Sequence, residues 1–144
     1  MEKVLNYLRE NDARFVSELC AYVRFPSVSA QTNHKPDLIQ CAEWIRKHCE
    51  MIGLTATLHE TPGNPIVLAQ TPRSKKGRQH FLVYGHYDVQ PAEPFDLWHS
   101  QPFEPRLEGR SLFGRGASDN KGQHLAHLNA VEAYLKTGTA LPCD

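Results

Sequence analysis

Apolar residues recur at helical spacing from the start of the chain. Leu5, Leu8, Phe15, Leu19 and Val23 fall on one face between Glu2 and Arg24, with a polar interruption at Asp12. Pro26 ends that pattern, because the residue before a proline is pushed out of the helical region. Phe25–Lys35, rich in Ser, Thr, Asn and Pro, reads as loop, with His34 exposed in it. A second helix opens at Pro36-Asp37, a proline and an acid suited to a first turn. It carries Leu38, Ala42, Ile45 and Cys49 inward with Trp44 beside them, and Gly53 is its stop. Leu54–His59 and Ile66–Ala69 read as strands around the turn Thr61–Pro65. Phe81-Leu82-Val83-Tyr84 is too short for a helix and reads as a third, buried strand. Phe103–Arg106 and Ser111–Phe113 suggest a hairpin, and Asn120–Lys136 a last helix with Leu125, Leu128, Val131 and Leu135 inward. This order predicts an α/β layered domain, whose sites collect at the carboxyl ends of strands.

Composition changes little. The 144 residues suit one domain, with 16 basic and 16 acidic side chains and 40% hydrophobic residues. Lys75-Lys76-Gly77-Arg78 is the basic cluster, and it reads as a solvated loop, so no nucleic-acid partner is expected. No apolar run is long enough for a membrane span. The four cysteines form no Cys-x-x-Cys pair, and three lie in helical patterns. With no secretory leader, they point to a reducing cytoplasm. After the last helix, Gly138–Pro142 reads as a connection toward another strand, so a truncated domain is expected.

The chemistry concentrates between Phe81 and Gly122. His86 and Asp88 follow the third apolar run, and residues two apart on an extended chain share a side. Asp119 lies in Gly114-Arg115-Gly116-Ala117-Ser118-Asp119-Asn120-Lys121-Gly122, a glycine-flanked turn opening a helix. Zinc takes imidazole nitrogen and carboxylate oxygen, and catalytic sites keep a position open for water. His86 and Asp119 supply those two ligand types. Asp88 can accept the other imidazole N–H and fix the tautomer. With two oxygens, Asp119 can bridge two ions about 3.5–4 Å apart, and water activated there attacks an amide carbonyl. A lone His-x-Asp or a lone glycine-rich turn is usually structural; the two in order are much rarer. His124 and His127 stand three apart, unlike the His-Glu-x-x-His pattern, and read as helix-packing or solvated. His48, His59, His80 and His99 have no carboxylate partner visible in the sequence. Trp98, Phe95 and Phe103 read as cover for the loop.

Gly85-His86-Tyr87-Asp88-Val89-Gln90-Pro91, then Trp98, Pro102-Phe103 and Leu112-Phe113-Gly114-Arg115-Gly116 up to Asp119-Asn120-Lys121-Gly122, resemble the di-zinc aminoacylase/carboxypeptidase/dipeptidase family. Asp88-Val89-Gln90-Pro91-Ala92 and the Trp98…Pro102-Phe103 spacing are most similar to its nonspecific dipeptidase, carnosinase-like branch. The resemblance implies the N-terminal portion of a layered α/β/α zinc-exopeptidase-like catalytic domain over residues 1–144. It implies His86 as a ligand of one zinc, Asp119 as a bridge between two, Asp88 as the orienting catalytic residue, and a cis Asp119–Asn120 peptide. Asn120 stands where the family often has Asp or Met, a change that bears on the turn. The family's Glu-Glu pair with the general base, its remaining ligands and its lid or dimerisation domain fall beyond Asp144.

The implied activity is hydrolysis of dipeptides or N-acyl amino acids, by a homodimer in the full-length enzyme. Two zinc ions serve a complete site, and manganese or cobalt would suit the same ligands. The 144 residues alone are expected to bind zinc weakly and to be inactive, because two protein ligands cannot close a tetrahedral shell. The competing expectation is a non-catalytic α/β remnant that binds metal or a partner.

Overall fold

A computed structural model describes residues 1–72 and 78–144, so of the basic cluster only Arg78 falls within the described residues. The first helical pattern divides into α1 (Glu2–Glu10) and α2 (Asp12–Val23). The break is Asn11, whose side-chain amide bonds back to the Tyr7 carbonyl (2.8 Å) while its Oδ1 accepts from Arg14 Nε (3.1 Å). Asparagine competes in this way with the helical ladder. The break also shifts the phase of the first turns: Val4 is buried, and Leu5, expected inward, is exposed.

α3 (Lys35–Ile52) follows the sequence pattern closely. Leu38, Ala42, Ile45 and Cys49 are buried, and Gly53 ends the helix in the left-handed region at φ 106°. His34, expected exposed, is partly buried and pairs through Nδ1 with Asp37 Oδ2 at 2.7 Å. β1 (Thr55–His59) and β2 (Ile66–Gln70) form an antiparallel pair with Thr57 opposite Leu68. β3 (Arg106–Glu108) and β4 (Ser111–Phe113) form a second pair around Gly109-Arg110, so the hairpin's first strand starts at Arg106 and not at Phe103. α4 (Gly122–Lys136) closes the described fold.

Phe81–Tyr84 differs most from expectation. It forms no strand, and its four side chains are 59–89% exposed. An apolar run becomes a buried strand only when a neighbour completes its ladder. Here the contact is confined to one end: Phe81 N–H donates to the Asp144 carbonyl (2.8 Å), and Asp144 N–H to that of Gln79 (2.9 Å). His86 is therefore held at the rim by other means than a sheet edge.

The core lies where α2, α3 and α4 meet β1. Tyr22, Cys41, Ile45, Cys49, Ala56 and Leu125 are buried together. The rings of Tyr22, Trp44 and His48 stack in sequence, with centroids 5.0 and 5.1 Å apart. Burial pushes the thiols of Cys41 and Cys49 up to about 11, so they behave as small apolar groups. One acid is sunk beside this core: Glu132 of α4 accepts from Tyr7 Oη (2.8 Å) and from Arg14 (2.7 Å), pinning α1 and α2 to α4. Among the described residues no helix is long and apolar enough to cross a membrane.

Two histidines packed into the fold, His48 buried and His124 partly buried, make stability depend on pH. Burial, chiefly, lowers His124 from the ordinary 6.5 to about 4. A hydrogen bond with the His86 backbone opposes that shift, and the neighbouring charges of His86, Lys121 and His127 reinforce it. His48 is lowered by burial too, against the charges of Glu18 and Glu132. The unfolded chain takes up these protons first, so stability is full above pH 6.5 and is lost as pH falls toward about 4. His124 alone accounts for about 3 kcal/mol over that window. Urea unfolding at a series of pH values should show this slope, and His124→Gln should flatten it; an unchanged slope in the variant would remove His124 as its source.

Candidate metal centre

Two segments meet at the rim, and each is fixed by bonds to the elements around it. The first is Gly85–Val89. Pro26–Ser29 runs beside it, with Val28 opposite Val89 in a parallel bridge. Val89 N–H donates to the Ser27 carbonyl (2.9 Å), and the buried Ser27 hydroxyl donates to the Tyr87 carbonyl (2.6 Å). On the other flank Tyr87 Oη donates to the Pro65 carbonyl between β1 and β2 (2.6 Å). Gly85 lets the first turn of α4 approach, since a Cβ there would stand 2.6 Å from that of His124. His124 itself packs inward and meets Tyr22 Oη through Nε2 at 3.1 Å, the helix-packing role expected of it.

The second segment is the turn Ala117–Lys121 that leads into α4. Gly116 takes φ +84°, and Lys121 N–H closes the turn onto the Gly116 carbonyl (3.1 Å). The Asp119–Asn120 peptide is cis, as the resemblance implied. Lys121 is fully buried. Its ammonium donates to the Tyr22 and Phe25 carbonyls at 3.1 and 2.8 Å, where the chain leaves the end of α2. Burial lowers it to about 8, while the neighbouring Cys41 and the charge of Asp88 act the other way.

These segments bring His86 and Asp119 together, 33 residues apart in sequence. His86 Nε2 lies 3.0 Å from Asp119 Oδ1. On the other side of the ring, Nδ1 lies 3.1 Å from both the carboxylate Oδ1 and the backbone carbonyl of Asp88. Both ring nitrogens thus face acceptors, two at Nδ1 and the Asp119 carboxylate at Nε2, so the protonated ring donates on both sides and Nδ1 has the more acceptors to hold its hydrogen. Partial burial works against charging the ring, but the bonds to the Asp88 backbone and Asp119 and the charges of both carboxylates outweigh it, and the pKa rises.

Sequence reasoning missed three supports of this pair. Asn120, read there as bearing only on the turn, accepts from the His86 N–H through Oδ1 (3.1 Å) and so joins the two segments. Ser29 donates to Asp88 Oδ2. Lys121 is the third, and nothing in its neighbours marks it as buried. The remaining histidines stay away from the site: His48 is buried against Trp44, while His59, His80 and His99 are exposed. Trp98 donates through Nε1 to the Ala92 carbonyl (2.8 Å) and lies under Arg115, covering the loop as expected, whereas Phe95 is exposed.

The donors suit a zinc-type ion: an imidazole nitrogen held from behind by a carboxylate, and a carboxylate open to solvent, with the Asp119 side chain 85% exposed. Among the described residues no group of three or more His, Cys, Asp or Glu side chains converges on one point. Among the described residues the rim thus brings together one imidazole and two carboxylates, His86 between Asp88 and Asp119.

The chain is similar to known proteins in both sequence and fold. Residues 82–144 match peptidase family M20/M25/M40. The chain is 29% identical over 155 residues to the Cys-Gly metallodipeptidase dug1 of Schizosaccharomyces pombe, covering 100% of this chain and 32% of that protein. It is 31% identical over 157 residues to the human Beta-Ala-His dipeptidase, covering 100% of this chain and 31% of that protein. Among solved structures, the dipeptidase Dug1p of Saccharomyces cerevisiae superposes with a TM-score of 0.88 at 26% identity, over 99% of this chain and 32% of that one. Human carnosine dipeptidase 1 gives 0.87 at 29% identity, over 99% and 32%. The chain spans about a third of the length of the curated relatives it matches. Through its sequence along residues 82–144 and its fold along nearly its whole length, the chain is similar to members of peptidase family M20/M25/M40.

Proposed function

We propose that the protein is a metal-dependent hydrolase of dipeptides or N-acyl amino acids, and that these residues supply part of its metal centre. One observation carries the reading: His86 Nε2 and Asp119 Oδ1 face each other at 3.0 Å, with Asp88 behind the ring. In this account His86 and Asp119 would be the ligands, and the exposed Asp119 carboxylate, with two oxygens, would serve a pair of zinc ions. Manganese and cobalt fit the same donors. When bound, such an ion polarises the scissile carbonyl and makes water a nucleophile near neutral pH. The chain's own residues do the holding. Asp88 retains the proton on Nδ1, so the Nε2 lone pair stays directed at the ion. Asn120 keeps the His86 backbone against the Asp119 turn, and Lys121 ties that turn to the end of α2.

The dipeptidase names of the relatives support a dipeptide substrate. Homodimer formation by the whole protein rests on the resemblance, and four free cysteines, two of them buried, favour a cytoplasmic compartment. The protein expressed from its natural reading frame should release amino acids from dipeptides in a reaction stopped by chelation and restored by zinc. His86→Ala or Asp119→Ala should lower kcat/KM by about a thousandfold or more, which is on the order of the several kcal/mol a metal contributes. The 144 residues alone should show no turnover. Hydrolysis that survives chelation, or that is indifferent to His86, would overturn the reading, and no hydrolysis at all would favour a non-catalytic module.

A further inference from the structure

The parallel bridge between Val28 and Val89 has a side-chain counterpart. Ser27 and Ser29 flank Val28, and both hydroxyls reach across to the opposite segment: Ser27 to the Tyr87 carbonyl and Ser29 to the Asp88 carboxylate. Ser27 is buried and serves the backbone. Ser29 is exposed, contributes nothing to the core, and spends its hydroxyl on one oxygen of Asp88. That leaves Asp88 Oδ1 for His86 Nδ1 (3.1 Å). A carboxylate 38% exposed at its side chain rotates freely unless something holds its second oxygen. Ser29, Asp88, His86 and Asp119 therefore form one unbroken line of hydrogen-bonded side chains.

We propose that Ser29 is a positioning residue of the His86–Asp119 centre, acting through Asp88 to hold the Nδ1–H tautomer of His86. The assignment builds on the metal-centre reading above, and it deepens it by adding a residue from the loop after α2. Groups that bond directly to a metal ligand, as Asp88 does to His86, commonly change metal affinity by about ten- to a hundredfold, and Ser29, one step further out, is expected to change it by about three- to tenfold.

The test is long-range nitrogen-15 NMR of the His86 ring in the 144-residue chain, at a pH where the ring is neutral. The wild type should show predominantly the Nδ1–H tautomer. Ser29→Ala should move the tautomer ratio by about fivefold, the equivalent of one ordinary hydrogen bond, with no change in Tm. Ser29→Thr, which keeps the hydroxyl, should restore the ratio. In an Asp88→Ala background, Ser29→Ala should change nothing further. A ratio unmoved by Ser29→Ala, or moved equally with Asp88 absent, overturns the proposal. Zinc is then titrated into the wild type: failure to shift Nε2 defeats the metal reading, while the tautomer ratio still decides the role of Ser29.

Discussion

Arg14→Ala should destabilise the chain by about 2–3 kcal/mol, more than the loss of any other single surface-reaching side chain. Glu132 is 3% exposed, so its carboxylate has given up water for two donors, Tyr7 Oη and the Arg14 guanidinium. Removing one partner of a buried pair costs about 3–5 kcal/mol because the other charge stays buried and unmatched. The Arg14 side chain is 37% exposed, and water entering the gap recovers part of that. Arg14 also holds Glu18 (2.6 Å) and packs its guanidinium over Phe15, so its loss loosens α2 as well. Glu132→Leu should cost less, about 1 kcal/mol, since it takes the buried charge away and leaves an arginine that can turn to water and Glu18. Urea unfolding with an unchanged m-value reads both. Arg14→Ala less harmful than Glu132→Leu would mean that the pair is not what joins the first two helices to α4.

The second large effect falls on the metal centre without touching a proposed ligand. Gly116→Ala meets two obstacles. Its φ of +84° is the left-handed region, costing about 1–2 kcal/mol for an alanine. Its Cβ would stand 2.4 Å from Val89 Cγ1, and forcing a methyl into packed space costs about 1–3 kcal/mol more. Val89 is the residue bridged to Val28, so the push lands on the segment that carries His86 and Asp88. A total of about 2–5 kcal/mol is expected, with zinc affinity lost as the Asp119 turn and His86 move apart. Gly109→Ala is the control: φ is +59°, but nothing lies within 4 Å of its added Cβ. It should cost about 1–2 kcal/mol and leave metal binding alone. Equal effects at both glycines would show that backbone strain, and not contact with Val89, governs the site.

How much of this was legible in the sequence follows from how local each cause is. α3 and its Gly53 stop could be read because their causes lie within a few residues: a repeating apolar face and a glycine in the left-handed region. His86, Asp88 and Asp119 could be read because their chemistry is carried by residue type and short spacing. The split at Asn11 could not, since it depends on whether one amide turns back onto the Tyr7 carbonyl. Burial of Glu132 was hidden for another reason: its partner Tyr7 lies 125 residues away. Ser29 and Asp88 are separated by 59 residues and meet only because Val28 pairs with Val89. Phe81–Tyr84 shows the converse, an apolar run whose composition suits a strand but which lacks a ladder partner among the described residues.

The account depends on a cation shared by one imidazole and one carboxylate, and the most direct measurement is zinc titration of the nitrogen-15-labelled chain. Zinc should shift Nε2 of His86 saturably, ahead of His99 and His127, and Asp119→Ala should weaken that binding by about tenfold or more. Zinc that saturates other histidines while Nε2 of His86 stays still, or that binds equally well without Asp119, would contradict it.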